Sequence, residues 1–165
     1  MLKDLPGFTV PRRLRGRAMI EVLLLLHVLS AVVWVGGMFF AHQMVRPSVA
    51  ALDPPVRLAL WRRIFQKFFA WVWAAVVLLL ASGLAMQGLG VVGLHVNIME
   101  GLGIIMMLAF GHLYFAPWKR FRRAVDGSDF AAAARQLNQI RRIVELNLAL
   151  GLIVVVIGAT GRYWG

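Results

Sequence analysis

VLLLLHVLSAVVWVGGMFFA, residues 22–41, runs for 20 positions with no charged side chain, one histidine and one serine. About 20 apolar residues in an α-helix cross a hydrocarbon layer roughly 30 Å thick. The helix also bonds every backbone group within the segment, which lipid requires. Outward from it, three similar blocks follow, at 68–86, 101–118 and 146–161. The chain is 61% apolar and 15% charged, whereas soluble domains average about half and a quarter. An ordinary soluble domain is excluded, and the residues left between the blocks are too few for a separate soluble catalytic domain. The expected fold is all-α, an integral membrane four-helix up-and-down bundle whose short connections make successive helices antiparallel neighbours.

The blocks set spans near 19–42, 68–87, 97–118 and 143–163 in one membrane domain, 19–165. Residues 1–18 form a basic segment expected at headgroup level, interrupted by Pro6 and Pro11. Its arginines resemble the start of a secretion signal. The apolar run that follows is too long for one and lacks a small-residue cleavage site, so it reads as a retained span. In the first connection, 43–67, Asp53-Pro54-Pro55 is a helix start: a capping acceptor, then prolines where no amide hydrogen is needed. That helix is expected to continue through VRLALWRRIFQKFF into the second span. In the third connection, 119–142, Asp126-Gly127-Ser128 marks a turn, and a helix from near Ser128 would exceed about 30 residues and project from the bilayer. Trp118 and Tyr163-Trp164 suit interfacial aromatic belts.

The formal net charge is +11. The cations lie between and beside the spans, so anionic lipid headgroups are the expected partner, and nucleic acid is not. Twelve Lys and Arg fall in connections 43–67 and 119–142, and six in the termini and second connection. Positive charge is retained inside, which places those two connections in the cytoplasm of a bacterial-type inner membrane with both termini outside. The basic flank of the first span votes the other way. A homo-oligomer or a membrane partner protein is compatible with this layout.

No cysteine is present, which removes disulfides, thiolate metal sites and Cys-attached haem. Four His, eight Met and seven acids remain. Ionisable groups within a span suggest a site facing the bundle interior. His27, Ala31, Trp34 and Met38 form one stripe of the first span, and Met38 with His42 makes an i, i+4 pair. Gly36-Gly37 beside the stripe would admit another backbone closely. Span three offers His112, and span four begins with Glu145, one turn after Arg141. Two layers result: His27, His95, Glu100 and Glu21 toward the termini, and Met38, His42, Met44, His112 and Glu145 toward connections one and three. Imidazole and thioether ligands suit copper, Cu(I) in particular, with His27, Met38, His42 and His112 as candidate ligands. A bis-His haem b would need His27 and His112 at similar depth. The plain structural alternative is a packed helix face, a histidine bonded to a carbonyl and an interfacial ion pair among Arg141, Arg142 and Glu145. Gly88-x-Gly90-x-x-Gly93 matches the dinucleotide fingerprint in letters only, because it lies between two spans.

LHVLSAVVWVGGMFF (26–40) resembles the first-span signature of the CopD-like membrane proteins, a His, then Trp, then a Gly pair. WRRIFQKFFAWVWAAVVLLLASGL resembles that family's second span, with its exit at Ser82-Gly83. IRRIVELNLALGLIVVVIGA (140–159) resembles its later Arg-x-x-x-Glu span. The resemblance covers nearly everything after residue 18. It implies copper uptake or resistance, and relationship to the HemJ-type protoporphyrinogen oxidases, four-span proteins that bind haem b. By position it implicates His27, Trp34, Gly36, Gly37, Gly83, Arg141 and Glu145; of these all but Gly83, together with His112, are the expected cofactor-binding residues. In span three, HVNIMEGLGI carries Glu100 where both groups lead with a Lys-bearing motif. Copper or haem b therefore stands as the expected cofactor, with a cofactor-free assembly subunit as the further reading.

Overall fold

A computed structural model describes residues 12–164. Residues 1–11, most of the expected headgroup segment, lie outside the described residues. Helix α1 begins with Arg12–Ala31 and continues through a π-helical turn at Val32–Gly36, a single α turn at Gly37–Phe40 and a second π turn at Ala41–Val45. It ends at Arg46–Ser48. Helix α2 is Pro54–Gly88, unbroken over 35 residues. Helix α3 comprises Leu94–Leu113, a π turn at Tyr114–Trp118 and Lys119–Asp126. Helix α4 is Phe130–Thr160, with a 3₁₀ turn, Gly161–Tyr163, behind it. Among the described residues four helices are thus long and apolar enough to cross a membrane. They form the expected all-α up-and-down bundle, with α1 packed mainly on α2 and α3 mainly on α4.

The connections are much shorter than the gaps between apolar blocks. Segments 43–67 and 119–142 are helical except at 49–53 and 127–129. The reason lies in their amphipathic pattern. Trp61, Phe65, Phe121, Leu137 and Ile140 are all 3% exposed or less, and they extend the bundle core beyond the apolar blocks. At 1.5 Å per residue, α2 is about 50 Å long, against roughly 30 Å of hydrocarbon. Asp53 does hold the N-cap position of α2, but its side chain makes no cap bond, so the start rests on Pro54 and Pro55. At α4 the cap is Asp129, one residue beyond the expected Ser128, and its Oδ1 accepts from the Ala132 amide at 2.9 Å. Pro117 sits within α3, where a proline lacks its amide hydrogen and crowds the preceding turn. The π turn at Tyr114–Trp118 accommodates it.

The core between the hairpins is aromatic. Phe65 and Phe69 stack at 5.2 Å, and Phe69 meets Trp118 edge-on at 5.3 Å and Phe110 at 5.7 Å. Phe110 in turn touches Trp34 at 6.0 Å and Trp73 at 5.3 Å. Trp118 is consequently 3% exposed and serves the core, not the interfacial belt expected of it, while Tyr163 and Trp164 are exposed.

Helix approach depends on glycines, Gly37 and Gly151 among them. A Cβ on Gly37 would lie 2.3 Å from Phe68 Cε2, and one on Gly151 would lie 2.8 Å from Val35 Cγ2. Gly37 thus seats a ring of α2, not the neighbouring backbone the sequence suggested, and Gly36 has nothing within 4 Å. Gly37→Ala is expected to lower stability by about 1–3 kcal/mol through overpacking. Gly36→Ala should have no such cost. Thermal unfolding in mild detergent checks the pair, and equal melting temperatures would refute the packing role of Gly37.

Candidate functional site

The candidate polar side chains collect at two depths. Toward the termini, His27 faces α2, where its Nδ1 lies 2.9 Å from Ser82 Oγ. The Ser82 hydroxyl donates back to the carbonyls of Leu78 at 2.5 Å and Leu79 at 3.3 Å. A serine has one hydroxyl hydrogen. If that hydrogen goes to a helix carbonyl, Nδ1–H donates to Ser82 and Nε2 keeps its lone pair. The Leu79 carbonyl also lies beside the ring. No side chain among the described residues is hydrogen-bonded to Nε2. Ser82 is 3% exposed, and Gly83 leaves room beside it, since a Cβ there would be 3.4 Å from His27 Cε1.

The other members of that layer do not gather around His27. Glu21 is exposed, and Glu100 Oε2 accepts from Gln87 Nε2 at 3.0 Å. His95 packs its Cβ where Gly161 lacks one, so it serves the end of α4.

The second depth lies toward connections 49–53 and 127–129. Glu145 Oε1 accepts from Arg46 Nη1 at 2.6 Å and lies 3.6 Å from His42 Nδ1. Arg141 sits 5.7 Å over the ring of Trp61. A cleft of about 20 Å³ is lined by His42, Arg46, Trp61 and Arg141. Arg141 feels the like charges of Arg46 and Arg57, partly offset by Glu145. That surplus opposes a metal cation and favours an anion.

Placement of the remaining candidates follows from burial. Trp34 and Met38 are 2% exposed, so the expected stripe does face inward, but Met38 is embedded among core side chains. Met44 is exposed. His112 lies on the exposed outer face of α3, because the buried face there carries Met106, Phe110 and Leu113. The expected approach of His112 to Glu145 is therefore replaced by the Arg46–Glu145 pair. Among the described residues no group of three or more His, Asp or Glu is placed to hold a metal ion.

Asn147 was not among the sequence candidates. It is 2% exposed, and its Nδ2 donates to the Met106 carbonyl of α3 at 3.1 Å, while Oδ1 has no partner. Its signal was available: an amide within the apolar run 146–161 must bond across helices.

The model of the CopD family, copper resistance protein D, matches residues 62–160, more than half of the chain. The chain belongs to the CopD family. The match takes in α2 from Arg62, with Ser82 and Gly83, and all of α3 and α4. A protein of Aquifex aeolicus (strain VF5), described as uncharacterized, is 28% identical over 143 residues, covering 86% of this chain and 94% of its own. No solved structure matches. The molecule is thus a multi-pass CopD-family membrane protein.

Proposed function

We propose that this CopD-family chain handles copper within the membrane, with His27 as the imidazole ligand that the bundle presents. The observation that carries this reading is the oriented ring. Metal-binding histidines commonly donate their other ring hydrogen to a neighbouring acceptor, which sets the tautomer and aims the lone pair. Ser82 supplies that acceptor to His27 at 2.9 Å. Met86, one turn beyond Ser82 on the buried side of α2, offers a thioether of the kind that favours Cu(I).

One chain brings too few ligands together for a closed resident centre. Copper is therefore cargo bound in passing, or the set is completed by a second copy or a membrane partner. A bis-His haem b inside the bundle does not fit: His112 faces outward, and the space between the hairpins is filled by Trp34, Met38, Phe69 and Phe110. The twelve Lys and Arg at the end bearing 49–53 and 127–129 support a cytoplasmic position for that end in an inner membrane.

The test is a visible spectrum of detergent-purified protein, oxidised and then dithionite-reduced, with Cu(I) titration against a chromogenic chelator on the same sample. A colourless protein that takes up Cu(I) is expected. A Soret band with sharp reduced bands would replace the copper reading with haem b at a surface site. A colourless protein that takes up no copper would leave a cofactor-free assembly subunit.

A further inference from the structure

At the end of the bundle opposite the His27 layer, two buried donors point to a ligand. Trp61 is 3% exposed, and its Nε1 has no hydrogen-bond partner. Arg141 Nε is likewise buried without one. Its Nη1 reaches Asn138 Oδ1 only at 3.5 Å, and no carboxylate among the described residues lies within 4.0 Å of it. Buried N–H groups are nearly always satisfied, and an unmet donor is expensive. Both side chains line the same cleft of about 20 Å³. That volume admits one oxygen-sized group.

The neighbours do not supply the missing acceptor. Glu145 is held by Arg46, and Arg57 Nη1 donates to the Ala50 carbonyl at 3.0 Å. Depth narrows the occupant further. The apolar run of α4 begins at Leu146, so Arg141 stands five residues, about 7.5 Å, outside it. The headgroup layer of one leaflet is roughly 5–7.5 Å deep, which puts Arg141 at its outer edge.

We propose that the Trp61–Arg141 cleft is an oxyanion site, and that it takes the phosphate of an anionic lipid headgroup. One phosphate oxygen enters the cleft and accepts from Trp61 Nε1 and Arg141 Nε. The remaining charge faces Arg141 and Arg46. The same chemistry would accept inorganic phosphate. This site is independent of the copper reading, since it shares no residue with His27 or Ser82 and has the opposite charge preference.

The test is native mass spectrometry of the purified full chain with phosphatidylglycerol or phosphatidylcholine, plus thermal unfolding in lipid-free detergent with added inorganic phosphate. Wild type is expected to retain phosphatidylglycerol over phosphatidylcholine. Arg141→Gln should weaken that retention about tenfold, the worth of a charged hydrogen bond. Trp61→Phe keeps the ring and removes only the donor, and should weaken retention several-fold. Arg122→Gln, on an exposed position of α3, should leave it unchanged. If lipid retention ignores these variants but phosphate raises the melting temperature of wild type and not of Arg141→Gln, the site stands with a free oxyanion as its ligand. If neither lipid nor phosphate binding depends on Trp61 or Arg141, the proposal is overturned. Should Arg141→Gln fail to fold, Trp61→Phe decides alone.

Discussion

His27→Ala is expected to abolish Cu(I) uptake by the purified protein, with affinity falling by more than about 100-fold. The imidazole is the one histidine whose ring is held at one nitrogen by a buried acceptor and left open at the other. Ser82→Ala removes the acceptor and leaves the ligand. It should cost about 10–100-fold, the usual range for a group that orients a metal-binding histidine. His112→Ala serves as the comparison, since that side chain lies on the outer face of α3 and should not matter. Chelator competition measures all three variants. If His27→Ala binds Cu(I) like wild type, the ligand assignment is wrong; if only Ser82→Ala does, the tautomer argument fails and the ligand survives.

Phe69→Ala should destabilise the bundle by about 3–5 kcal/mol, the range for truncating a buried aromatic. Phe69 is 2% exposed and touches rings from its own helix and from α3, including Phe65 at 5.2 Å and Trp118 at 5.3 Å. In lipid, helices gain little from leaving the solvent, so association rests on packing of this kind. Trp71, two residues away, is 65% exposed, and Trp71→Ala should lie within about 0.5 kcal/mol of wild type. Unfolding by SDS titration in mixed micelles compares them. Similar losses for both would refute Phe69 as the joint between the hairpins.

The candidate site was only partly legible in the sequence. His27 was legible because an imidazole inside an apolar run is conspicuous, and Ser82-Gly83 because the pair interrupts the second run. Arg141 and Glu145 were legible as a helical pair. Their partners were not, since Arg46 and Trp61 come from other helices and periodicity describes one helix at a time. His112 shows the same limit: at 100° per residue its helix face follows from sequence, but which face meets the bundle does not. Met106, Phe110 and Leu113 take the inner side of α3, so His112 is left outside.

By itself the sequence determined four membrane helices, because only an apolar run of near 20 residues crosses the hydrocarbon and lipid admits no unsatisfied backbone. It also determined the antiparallel order through its short connections, and the helix starts at Pro54-Pro55 and near Asp129. Tertiary structure alone decided that the extended ends of the helices pack together as core, because Trp61, Phe65 and Phe121 become buried only when they meet across α2 and α3. It alone brought the His27 ring against a serine hydroxyl 55 residues away. The grouping of the guanidiniums against a single carboxylate also required it, since charges on three separate helices interact only once packing has brought them together.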